Sequence, residues 1–447
     1  MSEKKNPKRV EAIVFIMAFI QSKLADRIPV GDLTPVHLMG IINLSPESFF
    51  KESYISKEQI LPQIKQDLAN GATFLDFGAR STAPWSEPIS LDEELTRVEQ
   101  ALMVALPHIP KETVLSIDTQ YSEVAELAFK LAAPYDIPFL VNDISSFHTD
   151  NKMKNFVISH KVPVCLMATM KKPGDAKDIT EILTSLSSTM DDLDNEKYPL
   201  DQVIVDPGIG KWVSEKTFEY DLEMLHNLED LRALRSPILI GLSRKSFIGS
   251  VLGKKDPNER LNGSLAATSI AVFNGAHIIR AHQITSQLYE MVQMASALRK
   301  KIITTSTENQ RTTLLPPFRN STAAEVFLHR IGVSNGGTNI MKQKMSTNLI
   351  QIDKLTAPQA LILKQEMLAR GGDVALHKDV ITTEYHKYTK QFTAIVMGTP
   401  LQLKKLVSKL KSQDLEMKRI GTMIEEVLTQ NRTPKINFKP YEKEIKE

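Results

Sequence analysis

Two short clusters between Gly241 and His282 hold the side chains with the most evident chemistry in this chain. The apolar run Pro237 to Leu242 delivers Ser243, Arg244 and Lys245, and a second run from His277 delivers Arg280 and His282, with a helix predicted between them from Leu261. Polar residues that end an apolar strand stand at its C-terminal tip. Cations gathered there have no packing purpose, so the two clusters point to an anionic ligand at one end of a buried parallel sheet.

Such a site needs a scaffold, and residues 36–300 supply one. Apolar runs of strand length alternate with stretches of helical period: HLMGIINL, TFLDFGA, TVLSIDT, FLVNDIS, VPVCLMAT, DQVIVDPG, PILIGLSR and HIIRAH. Eight near-continuous apolar strands with helix-length crossovers predict a closed (β/α)8 barrel of the TIM type, a doubly wound open sheet being the alternative architecture. Active groups in such a barrel stand at the C-terminal strand ends. Those ends carry Asn43, Asp76, Asp118, Asn142 with Asp143, Met167, Asp206, Lys245, and Arg280 with His282. Taken singly, Asp118 and Asp206 could cap helices and His282 could be a satisfied core histidine. Polar groups at the same end of nearly every strand form a constellation.

Composition frames the rest. The chain has 447 residues, 42% hydrophobic and 24% charged, which suits a globular protein of two domains. The lone cysteine, Cys165, lies in the apolar run VPVCLM and reads as a buried inert thiol in a reducing, cytoplasmic setting. The opening stretch VEAIVFIMAFIQ contains Glu11 and is too short to span a bilayer, so a packed helix or strand is expected there and no membrane partner. Residues 301–317 are polar, rich in Thr and closed by Pro316 and Pro317, as in a linker, and residues 318–430 read as a small α+β domain. The expected layout is an extension (1–35), the barrel (36–300), the linker, the α+β domain and a charged tail (431–447). Up to residue 300 there are 32 Lys and Arg against 39 Asp and Glu; beyond it, 23 against 14. That asymmetry suits a basic module docked on an acidic barrel, attraction of an anionic partner being the alternative; no nucleic-acid partner is expected.

Written in order, the strand ends resemble the dihydropteroate synthase family. GIINLSPESF, DFGARSTAP, SIDT, VNDIS, VCLMATM, VDPGIG, GLSRKSFIG, ERLNGSLAAT and IIRAH match its segments in its own order across about residues 36–300. The resemblance implies condensation of 6-hydroxymethyl-7,8-dihydropterin diphosphate with 4-aminobenzoate or a related arylamine, expelling diphosphate, through a dissociative transition state. It implies pterin binding by Asp118, Asn142, Met167, Asp206 and Lys245. Asn43, Arg280 and His282 would hold the diphosphate, Asn43 also serving a bridging Mg²⁺, and Ser81, Thr82 and Ser243 would meet the arylamine. Asp118, Lys245 and Arg280 are the expected catalytic groups. The family also implies a homodimer. A pterin-dependent methyltransferase of the same barrel, or a non-catalytic pterin-binding protein, is the alternative.

Departures from the family pattern carry their own expectations. Its second loop usually reads ESTRP, whereas this chain has Arg80-Ser-Thr-Ala-Pro84, so the loop cation is displaced. Together with Lys51, Arg80 could serve a phosphorylated arylamine. DPGIGKW departs from the usual DPG-x-G-x-G-K, leaving the aromatic beside the pterin unassigned. The segments from Ala360 onward resemble an accessory segment that precedes the barrel in some members; its Gly371-Gly372 pair reads as a helix C-cap.

Overall fold

The computed structural model describes residues 20–47, 53–81, 87–299, 303–307, 310–381 and 391–432. Most of the apolar opening stretch, together with Lys51 and Thr82, lies outside the described residues.

A hairpin of β1 (Gln21–Leu24) and β2 (Ile28–Gly31) leads into the alternating series. It runs β3 (His37–Asn43), α1 (Ile60–Ala69), β4 (Ala72–Gly78), α2 (Leu91–Ala105), β5 (Val114–Asp118), α3 (Ser122–Ala132), β6 (Phe139–Asp143) and α4 (Asn151–His160). The second half is β7 (Val164–Met167), α5 (Ile179–Asn195), β8 (Val203–Asp206), α6 (Phe218–His226), β9 (Leu239–Gly241), α7 (Ser246–Leu252), α8 (Leu261–Phe273), β10 (Ile278–Ala281) and α9 (Ser286–Leu298). Strands β3 to β10 form one parallel sheet in the order β8-β7-β6-β5-β4-β3-β10-β9. A parallel bridge from Val205 to Ile238 joins its two edges, completing the expected eight-stranded barrel.

Each strand sends one residue into a dry lower layer: Met39, Phe74, Val114, Leu140, Cys165, Ile204, Leu239 and Ile278. Leu24 and Val30 of the hairpin seal this layer from below. Burial pushes the Cys165 thiol well above its ordinary pKa, so it is an inert core residue. Alternate residues of a strand share a face. Two positions above the apolar layer therefore come Ile41, Asp76, Ser116, Asn142, Met167, Asp206, Gly241 and Arg280, and the interior changes from hydrocarbon to polar within one step.

Chain beyond the barrel returns to it. The stretch expected as a linker holds a short hairpin, β11 (Thr304–Ser306) with β12 (Arg311–Thr313). Helix α10 (Ser321–Arg330) follows, and its Ala323, Val326 and Phe327 belong to the barrel's own hydrophobic core. After α11 (Asn335–Met341), the elements β13 (Asn348–Leu355), α12 (Ala357–Leu368), β14 (Asp373–Leu376), β15 (Phe392–Gly398), α13 (Pro400–Lys411) and α14 (Leu415–Arg432) build an antiparallel sheet, β13-β15-β14, with a separate core. Helix α14 buries Met417, Ile420 and Ile424, a sparse apolar stripe in a charged segment.

Candidate active site

At the mouth of the barrel, the polar layer is organised around Asp76. This carboxylate is buried at the end of β4 and accepts from Ser116 Oγ (2.5 Å), Asn142 Nδ2 (3.1 Å) and Arg280 Nε (2.6 Å). Arg280 Nη2 donates to Asp118 Oδ2, also at 2.6 Å. One guanidinium thus links three strand ends, and Asn142 joins a fourth. Arg280 Nη1 has no hydrogen-bond partner among the described residues. Asp118 does not cap the helix after it; Ser122 N at the start of α3 donates to Asp150 instead. Burial pushes Asp118 up to about 7, Arg280 opposing and Asp76, Glu94 and Asp143 reinforcing the rise. Asp143 faces the next loop, accepting from Ser145 N, Ser145 Oγ and Phe147 N.

A second group lies across the barrel on β7, β8 and the start of α7. Asp206 Oδ1 accepts Gly208 N (2.7 Å), which turns the chain sharply, and Gly208, at φ +71°, lets the backbone pass against the Met167 side chain. Lys245 extends past Gly210, at φ +124°, to donate to Ile209 O. Burial pulls its ammonium down to about 8, with Asp206 and Asp221 resisting. Trp212 places its ring 5.9 Å from Lys245 Nζ. This loop thus places an aromatic ring beside Lys245. Lys216, buried, cinches the loop by donating to Gly208 O (2.6 Å), with Asp221 3.5 Å away. Asp76, Trp212 and Lys216 are the residues to which the sequence reading assigned no role. Asp76 was legible from its position two residues above Phe74; the other two depend on the path of an irregular loop.

The expected diphosphate residues stand nearby on β3 and β10. Asn43 is committed to its own loop, with Nδ2 donating to Ser53 Oγ (2.7 Å) and Oδ1 accepting Ser45 N (3.1 Å). His282 follows Arg280 on the same inward face, and Ser243 Oγ accepts its backbone N–H at 3.5 Å. Burial pulls His282 down to about 3, and Arg280, Arg244 and Lys245 push the same way, so its imidazole is neutral near pH 7. Arg244 lies with this cationic group, Nη2 donating to Gln283 Oε1 (3.3 Å) beside His282, but most of its guanidinium is held by the chain before α8. Held at φ +58°, it donates to Pro257 O (3.2 Å) and Asn258 O (3.0 Å), and its own N–H goes to Ser264 Oγ (2.9 Å), which pins the start of α8.

Arg80 also departs from expectation. Its Nε donates to Glu94 Oε2 (2.6 Å), Nη1 to Ile89 O (2.6 Å) and Nη2 to Ser90 O (3.3 Å), and the guanidinium lies 5.0 Å from the Tyr121 ring centroid. A cation so committed has little left for a phosphorylated arylamine. Ser81, the next residue, is half-buried beside it.

The sequence profile of the pterin binding enzyme family matches residues 39–282, from within β3 to just past β10. The chain belongs to this family. Relatives agree: it is 36% identical over 273 residues to the dihydropteroate synthase of Synechocystis sp., covering 59% of this chain and 90% of that protein. It is 35% identical over 280 residues to the folic acid synthesis protein fol1 of Pneumocystis carinii, covering 60% of this chain but only 36% of that one. The chain thus matches little more than a third of the length of that fungal relative. Among solved structures, dihydropteroate synthase from Coxiella burnetii in complex with pteroic acid superposes with a TM-score of 0.54 at 27% identity, over 63% of this chain and 98% of the other. The Xanthomonas albilineans dihydropteroate synthase with 4-aminobenzoic acid gives 0.53 at 27%, again over 63% and 98%. Each match spans about three-fifths of this chain, the share taken by the barrel.

Proposed function

We propose that this pterin binding enzyme is a dihydropteroate synthase, condensing 6-hydroxymethyl-7,8-dihydropterin diphosphate with 4-aminobenzoate or a related arylamine. The observation that carries this reading is the position of Arg280 between the two carboxylates Asp76 and Asp118, with the neutral His282 and Asn43 beside it. Asn142, Asp206 and Lys245 offer acceptors and a donor to the edge of a pterin, and Met167 and Trp212 offer soft and aromatic surface to its face. The methylene–oxygen bond breaks and diphosphate leaves with the bonding pair. Asp118 in its ionised form stabilises the cation left on the methylene, and Arg280 Nη1 meets the departing oxygens. The amine nitrogen then forms the new C–N bond and loses a proton.

Magnesium fits this scheme as a companion of the diphosphate. Asn43 Oδ1 keeps a second lone pair beyond the one facing Ser45, and Mg²⁺ commonly takes few protein ligands plus phosphate oxygens, so Asn43 would hold it. The ion would neutralise charge on the leaving group. We further infer a cytoplasmic homodimer. The single buried cysteine suits a reducing compartment, and the groove between α8 and α9, with exposed Ile270, Phe273, Met294 and Leu298, suits a partner barrel. No helix among the described residues is long and apolar enough to cross a membrane.

The direct test mixes the pterin diphosphate with 4-aminobenzoate and follows diphosphate. Release only when both are present supports the reading; a protein that binds pterin but releases nothing sinks it.

A further inference from the structure

Behind Asp118 lies an ion pair that the reaction itself does not call for. Glu94, on the first turn of α2, is wholly buried, its side chain 1% exposed, and its two oxygens have different partners. Oε2 takes Arg80 Nε at 2.6 Å and Oε1 takes Thr119 Oγ1 at 2.7 Å. Thr119 adjoins Asp118, and its backbone N–H bonds Asn142 O at 3.2 Å. Arg80 also binds the carbonyls of Ile89 and Ser90, which lie immediately before α2. A buried carboxylate needs a partner, and here the partner is supplied by the position where the resembling family usually carries Glu.

We propose that Arg80 is a positioning residue, which neutralises Glu94 behind Asp118 and ties Ser81 and the Asp118 strand end to the start of α2. The inference deepens the synthase reading and rests on it for its catalytic consequence. Asp118 is faced by Arg280 from β10, Asp76 from β4, Asp143 from β6 and Glu94 from α2. Arg280 alone in that set is cationic. Arg80 acts one step back, by cancelling the charge of Glu94. The guanidinium fork serves the tether as well, since a lysine could pair with Glu94 but not also span the two carbonyls.

The test compares wild type with Arg80→Met, Arg80→Lys, Glu94→Gln and the double Arg80→Met/Glu94→Gln variant. Titration of Asp118 is read by carboxyl-carbon NMR on the free full-length protein, alongside KM and kcat for 4-aminobenzoate. Arg80→Met should move the Asp118 titration to higher pH by about half a unit or more, Glu94→Gln should move it lower, and the double variant should return it towards wild type. Arg80→Lys should leave the titration in place and raise KM for the arylamine several-fold with kcat little changed. Overturning results are an Asp118 titration that Arg80→Met leaves in place or lowers, or an unchanged KM in Arg80→Lys. Should Arg80→Met not fold, Glu94→Gln decides: a titration that fails to fall rejects the proposal. If wild type releases no diphosphate, the synthase reading fails while the NMR titration still tests the relay.

Discussion

Arg280 grips Asp76 and Asp118 through two different nitrogens, Nε and Nη2, each at 2.6 Å, and so fastens the end of β10 to β4 and β5. The consequence is that the group expected to handle the leaving diphosphate also sets the charge state of the group expected to stabilise the cation. The poles expected for the leaving group and for the pterin are mechanically one network, with Asn142 joined to it through Asp76.

Asp76→Asn should therefore lower kcat/KM by roughly 10²-fold while leaving the fold intact, since electrostatic positioning in a closed site is worth about that much. Steady-state diphosphate release checks it. Activity within a few-fold of wild type would reduce Asp76 to a packing residue.

Arg280→Ala should reduce turnover most, and its effect on binding of the bare pterin should depend on pH. Arg280 lowers the Asp118 pKa, so its loss leaves Asp118 protonated to higher pH and removes an ionised acceptor. Calorimetry should show a larger binding defect at pH 6 than at pH 9. A defect that does not vary with pH contradicts the shared network.

The pH profile of kcat/KM should be a narrow bell. Asp118, near 7, must lose its proton, and Lys245, near 8, must keep its own. Rate should rise as pH climbs through the first value and fall above the second, the apparent values belonging to the coupled set. Lys245→Met should flatten the alkaline limb at a lower plateau. If that limb persists unchanged in the variant, Lys245 is not its source.

Trp212→Ala should weaken pterin binding by about tenfold through lost ring contact, whereas Trp212→Phe should recover most of it. With Trp85 replaced by Phe, the remaining indole emission should be quenched on adding pterin. An emission that ignores pterin places Trp212 away from the ligand.

Asp67, on α1, is buried against Gly40, and burial pushes its carboxyl to about 6, with the Ile284 N–H and Gln63 opposing. A raised acid binds its proton more tightly when folded, so the contribution of Asp67 to stability is full below about pH 4, is lost as pH climbs to about 6 and levels off above it, a change of roughly 2–3 kcal/mol at 1.36 kcal/mol per unit. Asp67→Asn should flatten that decline in Tm measured from pH 4 to 8. An equal slope in both proteins would assign the effect elsewhere.

Much of this architecture is legible in one dimension because it depends on local period. Eight apolar runs separated by helix-length crossovers specify a barrel, and alternation along a strand puts Asp118, Asn142, Asp206 and Arg280 on its inner face without any tertiary information. Strand and helix periods predict an α+β domain over residues 318–430, whereas α10 packs into the barrel core and the separate core spans residues 350–424. The partners of charged side chains were not legible. Arg80, Arg244 and Arg280 carry the same group, yet one holds Glu94, one holds carbonyls before α8, and one joins two carboxylates at the mouth. A guanidinium has five donors on a long stem, so its partner is set by what lies within reach in space, not by its neighbours in sequence. Trp212 and Phe327 are of the same kind, being placed by a loop path and by a helix returning over the barrel. Gly241 to His282 thus announced cations at a strand end by itself; only closure of the barrel, which brings β10 beside β3 and within reach of Asp76 and Asp118, decided which of them joins the two carboxylates.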